Sequence, residues 1–373
     1  MNSFVDKKII ENDKVFDREP KTAFFTPKYN PKTYTKDLLK NRYFEALIIL
    51  RHNLRIAADY YLSSKENSKN IDLFMLTPSV SSPSGPGSDS KPIPIKFGRL
   101  NTCLVDSSQF GFEPLLFLKS LDKVHCYLPS MRGENPDQRH LNQFFHLEME
   151  IIGTLDILIP MIERLVKELS RIILLMDNII SRISSNPIQT KKILKETQNI
   201  KQFPVIEFDE AINILIKNNK KKLINFTKKG RDISSKGELE LMKILKTKTP
   251  IWIKNYDRDR VPFYQKPDSK NPDKTVNADL LFPPITSGAF GGEIVGCGQR
   301  QDNVKEMYES LKRQDNISPE PYKWYINLRE NKKYQTTSGF GLGMERFIAW
   351  ALAKDNIRDV ILYPRLKNIK TYP

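Results

Sequence analysis

The stretch Met131 to Ile151, MRGENPDQRHLNQFFHLEMEI, gathers more side chains able to handle a nucleotide than any other part of the chain. An arginine fork suits a phosphate, a planar ring suits stacking on a base, and a carboxylate can accept from an exocyclic amine. Arg132, Glu134, Arg139, His140 and Phe144 supply all three. Alternation with period 2 on both sides of an Asn-Pro-Asp turn predicts a hairpin. By strand parity Arg132 and Glu134 share a face of its first strand, and Phe144, His146 and Glu148 share a face of its second. Arg139 and His140 fall in the turn. A second pattern, Ser338 to Trp350 (SGFGLGMERFIAW), runs a glycine-rich strand into a helix with Phe347, Ile348 and Ala351 at helical spacing. Gly341 and Gly343 would let a ligand approach the backbone closely, and Arg346 would project toward it from the first helical turn. Together these make an ATP-site inventory without a phosphate-binding P-loop.

The elements that must position these residues need a chain of this size. With 373 residues it can bury the core of one large α/β domain, alone or with a small appendage. Helical periodicity begins near Lys36, with Leu38, Leu39, Tyr43, Leu47, Leu50 and Leu54 on one apolar face. Residues 1–34 read instead as a charged, proline-punctuated arm, and residues 35–373 as the main domain, with a helical and basic insertion at about 180–235. The apolar stretch Ile151 to Ile180 is broken by Glu163, Arg164, Lys167, Glu168 and Arg171. It predicts an amphipathic helix and no membrane span. The N-terminus lacks an apolar secretory core, and Cys103, Cys126 and Cys297 match no zinc spacing, so free thiols in a cytoplasmic protein are the expectation. A formal charge of +16, with lysines clustered at 191–195, 217–222 and 228–231, is compatible with a polynucleotide partner. It fits a solvated, lysine-rich surface better.

With these residues in view, the chain resembles the class II aminoacyl-tRNA synthetases, and among them the aspartyl/asparaginyl subgroup. The hairpin is similar to that class's motif 2, the C-terminal pattern to motif 3, and Thr77-Pro78 to the end of motif 1. LVDSSQFGFEP (Leu104–Pro114), KTVNADLLFP (Lys274–Pro283), GGEIVGCGQRQD (Gly291–Asp302), YKWYINLRE and NIRDVILYPR follow in the family's order. The likeness covers about Thr35 to Arg365 and is weakest around residues 180–235.

The resemblance implies an α+β fold, an antiparallel sheet flanked by helices, in a homodimer formed through the motif 1 region. It implies ATP and Mg²⁺ as cofactors, and attack of an amino-acid carboxylate on the α-phosphorus of ATP. Arg132 and Arg346 would carry catalysis; Arg132, Glu134, Arg139, His140, Phe144, Gly341, Gly343 and Arg346 would bind ATP. Asp279 and Glu293 would hold the metal. Ser107, Gln109, Glu113 and Arg300 would bind the amino acid, with Glu113 accepting from a side-chain amide and Arg300 facing the side-chain oxygen. Phe112 stands where the aspartyl branch carries a lysine, which favours an asparagine-like side chain.

Departures from the family pattern shape the expected function. Counting from Thr77-Pro78, Pro86-Gly87 replaces an EG pair whose Glu holds the substrate's α-amino group. Only about 35 residues precede the catalytic segment, too few for the anticodon-reading barrel expected of the subgroup. These two features favour a free-standing ligase that adenylates asparagine, aspartate or a close analogue and passes the acyl group to an amine or ammonia. The alternative is a compact synthetase charging a tRNA, and the third reading is a non-catalytic binding paralogue.

Overall fold

The computed structural model describes residues 4–81, 91–314 and 317–372. Pro86 and Gly87 lie outside the described residues. The strands are β1 (Lys69–Asn70), β2 (Leu76–Thr77), β3 (Pro94–Phe97), β4 (Leu100–Leu104), β5 (Lys123–Met131), β6 (Gln143–Ile152), β7 (Val205–Glu207), β8 (Ile224–Thr227), β9 (Gly230–Ile233), β10 (Ile251–Lys254), β11 (Asn277–Phe282), β12 (Gly292–Gln299) and β13 (Thr337–Gly343). Eight of them form one sheet in the order β1-β5-β6-β13-β12-β11-β10-β7. Its interior pairs are antiparallel, and β1 and β7 add to the two edges as parallel strands.

Strand parity sorts the two faces of this sheet. On β6, Leu147, Met149 and Ile151 point into the core, as do Phe340 and Leu342 of β13 and Val295 and Cys297 of β12. Helices α1 (Phe4–Asp13), α2 (Tyr34–Lys40), α3 (Arg42–Ser64), α4 (Leu155–Leu174), α5 (Asp177–Ile183) and α6 (Pro187–Asn199) build that side of the molecule. Leu158, Ile162, Leu165, Leu169 and Ile172 of α4, spaced by three and four, are buried in the same core. No helix among the described residues is long and apolar enough to cross a membrane. The opposite face is left open over its centre and carries the site. Toward the β7 edge it is closed by α7 (Phe208–Lys217) and α8 (Ser235–Ile244), whose Phe208, Leu215 and Leu241 bury Ile251, Ile253 and Leu281. Helices α9 (Val304–Arg313) and α10 (Lys323–Ile326) pack in a separate aromatic cluster around Phe110 and Phe263. Helix α11 (Met344–Ala351) follows β13 directly, and Phe347, Ile348 and Ala351 are fully buried, as their spacing predicts.

Several local expectations change. The first hairpin strand ends at Met131, so Arg132 and Glu134 stand in the connecting loop and not on a strand face. The apolar run starting near Lys36 is two helices: Asn41 is extended, its side chain accepts from Tyr43 N and caps α3, and Leu39 is 77% exposed. The arm opens with a docked helix. Asp6 pairs with Arg171 at 2.7 Å, and the Asp13 carboxylate accepts from the Asn178 and Ile179 amides at 3.0 and 2.9 Å, capping α5 from outside. The 180–235 segment contributes one strand to the main sheet, β7 pairing with β10 through Trp252, Ile253 and Lys254, while β8 and β9 form a sheet of their own.

Candidate active site

The open face of the sheet floors a cavity of about 560 Å³. Its lining includes Arg132, Glu134, Arg139, His140, Phe144, Gly341, Gly343, Arg346, Ser107, Gln109, Arg300, Asp279 and Glu293, from strands, loops and a helix scattered over 240 positions of the sequence. Glu113 alone among the expected site residues does not line it. It is buried beside Arg329 at 2.7 Å and accepts from the Tyr325 hydroxyl. The carboxylate is thus held in a buried ion pair away from the cavity lining, where it ties the turn at Glu113–Phe117 to the segment carrying Tyr325 and Arg329.

At one end of the cavity the cations collect. The Arg132 guanidinium lies 5.1 Å over the Phe144 ring, and its buried Nε finds no hydrogen-bond partner among the described residues. Such an orphan donor costs free energy unless a ligand fills it. Among the described residues the Glu134 carboxylate accepts a single long contact, from Lys91 N at 3.4 Å. His140 is tied to Asp137 at 2.9 Å, and burial lowers its basicity. Arg139 is engaged with the Gly291 carbonyl and with Glu238 at 3.8 Å, so it braces the wall. Arg346 donates to Glu293 Oε2 at 3.2 Å. Its helix is held by Glu345, which accepts from Phe145 N at 2.8 Å and pairs with Arg51 at 2.7 Å.

Facing the cations are three carboxylates. Asp279 points from β11 to the site face, being paired with Gly296. Simple alternation would send Glu293 to the other face, because it and Gly296 are an odd number of residues apart. The register shifts there: Leu280 pairs with Val295 but Leu281 with Glu293. This β-bulge at Ile294 turns Glu293 back into the cavity. The result is that a Cβ placed on Gly296 would sit 3.4 Å from Asp279 Oδ1 and 3.5 Å from Glu293 Oε1. Burial and then the repulsion of Glu293 push the Asp279 carboxyl well above its usual range. Glu238, in the first turn of α8, is pushed up to about 7, by burial foremost. A crowded anionic pair of this kind is relieved by a divalent cation. No group of three or more His, Cys, Asp or Glu among the described residues has metal-holding geometry. Two carboxylates suit Mg²⁺, which takes its remaining ligands from phosphate oxygens and water.

The other end is polar and close-packed. Arg300 makes a two-point ion pair with Glu150, 2.8 and 2.6 Å, both residues being buried. Gln109 donates to the Tyr264 hydroxyl, and Glu148 accepts from Ser107 Oγ and from Ser108 N at 2.9 Å. One wall comes from a part of the sequence that carried no site expectation. Asn225, Arg231, Asp232, Ser234 and Glu238 line the cavity from the β8–β9 hairpin and the start of α8. Arg231 pins this hairpin to Asp257 at 2.7 Å and to Asp209 at 2.5 Å. Glu238 is inconspicuous in the sequence because a carboxylate in the first turn of a Ser-capped helix is ordinary.

The family model described as tRNA synthetases class II (D, K and N) matches residues 33–367. The chain belongs to this family. An asparagine–tRNA ligase of Thermococcus kodakarensis is 33% identical to this class II chain over 275 residues, which cover 72% of the chain and 58% of the relative. One of Mycoplasma genitalium is 32% identical over 281 residues, covering 72% and 59%. The chain therefore spans about three fifths of the length of these relatives. The asparaginyl-tRNA synthetase of Pyrococcus horikoshii, solved with asparaginyl-adenylate, superposes with a TM-score of 0.79 at 27% identity, over 92% of this chain and 74% of that one. The fold is the class II catalytic core, and its place is in the asparaginyl/aspartyl subgroup.

Proposed function

We propose that this class II core activates an amino acid of the asparagine/aspartate type with ATP and transfers it to the 3′ end of a tRNA. The observation that carries the reading is the convergence, in one cavity, of Arg132 with its unmatched Nε, Arg346, and the carboxylates Asp279 and Glu293. In the first step a carboxylate oxygen of the amino acid bonds to the α-phosphorus and the bond to the pyrophosphate oxygen breaks. Arg132 neutralises charge building at the α-phosphate, and Arg346 holds the departing phosphates. Phe144 offers a face for the base, and Glu134 accepts from its amine. Asp279 and Glu293 would hold Mg²⁺, which supplies charge neutralisation at the phosphates when bound. No protein nucleophile is required, because the substrate carboxylate is already ionised.

Glu148, buried between Ser107 and Ser108, offers the α-ammonium group an anionic partner on the sheet floor. Its presence answers the loss of the carboxylate expected near Pro86. Similarity to asparagine–tRNA ligases favours tRNA over an amine or ammonia as acceptor. A homodimer belongs to the same proposal. The test is pyrophosphate exchange into ATP driven by asparagine or aspartate, followed by acylation of a tRNA transcript. Exchange without acylation, combined with amide formation from a free amine, would replace tRNA as the acceptor. Absence of exchange with either amino acid would remove the activation step itself.

A further inference from the structure

The loss of Glu113 to a structural pair leaves open which group reads the substrate side chain. Gln265 is a neutral residue of the cavity wall with an unmet hydrogen-bonding need, an acceptor, where Arg132, Arg139 and Arg260 leave unmatched donors. It is 9% exposed, it lines the cavity, and its buried Oε1 has no hydrogen-bond partner among the described residues. A β-bridge pairs it with Arg300, so the two side chains rise from the same face as neighbours. The floor beneath them is made for both. Gly298 and Gly339 are paired in register across β12 and β13. A Cβ on Gly298 would meet Gln265 Oε1 at 1.9 Å, and a Cβ on Gly339 would meet Glu150 Oε2 at 1.9 Å and Arg300 Nη2 at 2.4 Å. The Gln265 amide and the Arg300–Glu150 pair therefore lie side by side on a strip of bare backbone.

Arg300 spends one N–H of Nε and one of Nη2 on Glu150, so that, among the described residues, the two N–H groups of Nη1 and the second of Nη2 are donors left over. Oε1 of Gln265 is the acceptor left over among the described residues. Donors beside an acceptor are the complement of a carboxamide, whose oxygen accepts and whose NH₂ donates. A carboxylate satisfies only Arg300; its second oxygen would face Oε1, leaving two buried acceptors opposed.

We infer that Gln265 is a specificity-determining residue that accepts from the side-chain amide of the substrate and so selects asparagine over aspartate. This rests on the activation reading above and names its substrate. The experiment measures kcat/KM for exchange with asparagine and with aspartate in the wild type, Gln265→Met and Gln265→Glu. The wild type prefers asparagine. In Gln265→Met the ratio of the two kcat/KM values falls about ten- to hundredfold, because the site no longer asks for a donor. Gln265→Glu keeps the acceptor at the same place and holds the preference, which guards against a variant that is merely misfolded. Equal losses with both substrates, an unchanged ratio in Gln265→Met, or a wild type that prefers aspartate would each overturn the assignment. Exchange with neither substrate in the wild type would overturn the activation reading and this inference with it, whereas an unchanged ratio leaves activation standing.

Discussion

Arg132 and Glu113 were both singled out by residue type, and their environments separate them. Arg132 lines the cavity and its buried Nε has no hydrogen-bond partner among the described residues, whereas Glu113 lies outside the cavity lining in a buried pair with Arg329 and Tyr325. Arg132→Ala and Arg346→Ala should each lower exchange by about 10²- to 10³-fold or more while circular dichroism and melting stay near wild type; full turnover in both would remove them from the reaction. Glu113→Ala should behave in the opposite way. Stranding a buried arginine costs roughly 3–5 kcal/mol, so the variant loses stability, and asparagine and aspartate activities fall together. A change confined to the ratio of the two activities would return Glu113 to the substrate. Residue types in order were legible because each phosphate or metal contact needs a particular charge and shape. Which carboxylate is free could not be read, since a pairing such as Glu113 with Arg329 joins positions far apart in the chain.

At the scale of elements, the hairpin, the glycine strand and the helix after it were legible from alternation, glycine spacing and the apolar stripe of α11. Their ends were not. Arg132 and Glu134 reach the cavity from a loop whose path depends on its neighbours: Asn142 donates to the carbonyls of Arg132 and Glu134 at 2.7 and 2.8 Å. The bulge at Ile294 was hidden too, because nothing in GGEIVG distinguishes a bulged strand from a regular one. The β8–β9 hairpin is the least expected element of the site. Gly230 at its turn has φ +119°, and a Cβ there would meet Asp257 at 2.8 Å, so the turn is pressed onto the segment that Arg231 grips. Arg231→Ala should free this wall: amide exchange over residues 224–233 speeds up by more than tenfold while the central strands stay protected, and KM for ATP rises. Unchanged protection of the hairpin would show that Arg231 does not hold it.

At the scale of the molecule, the N-terminal segment is woven into the core. The Arg182 guanidinium donates to the Phe16 carbonyl at 2.6 Å, and Lys354 Nζ donates to Thr26 Oγ1 at 2.8 Å. Burial pushes the Lys354 ammonium down to about 8, against opposing pulls from Asp359 and Asp355. Its folded pKa lies below the unfolded value, so the unfolded chain binds the extra proton between the two. Stability contributed at this site therefore rises with pH from about 8 to about 10.5. Compared with Lys354→Met, the wild type should gain on the order of 3 kcal/mol at most over that window in denaturant titrations. Parallel pH profiles would mean that Lys354 is not buried as its charge demands. For the chain as a whole, the order of motifs, the helical and strand periods and the residue types that meet in the cavity were determined by the sequence alone, because each is a local matter of charge, shape or period. Tertiary structure decided which of those groups are spent on one another, where Glu293 points, and that the 180–235 segment walls the site. Those outcomes depend on contacts between separate elements, from the 12 positions between Leu281 and Glu293 to the more than two hundred between Glu113 and Arg329, and no local pattern encodes them.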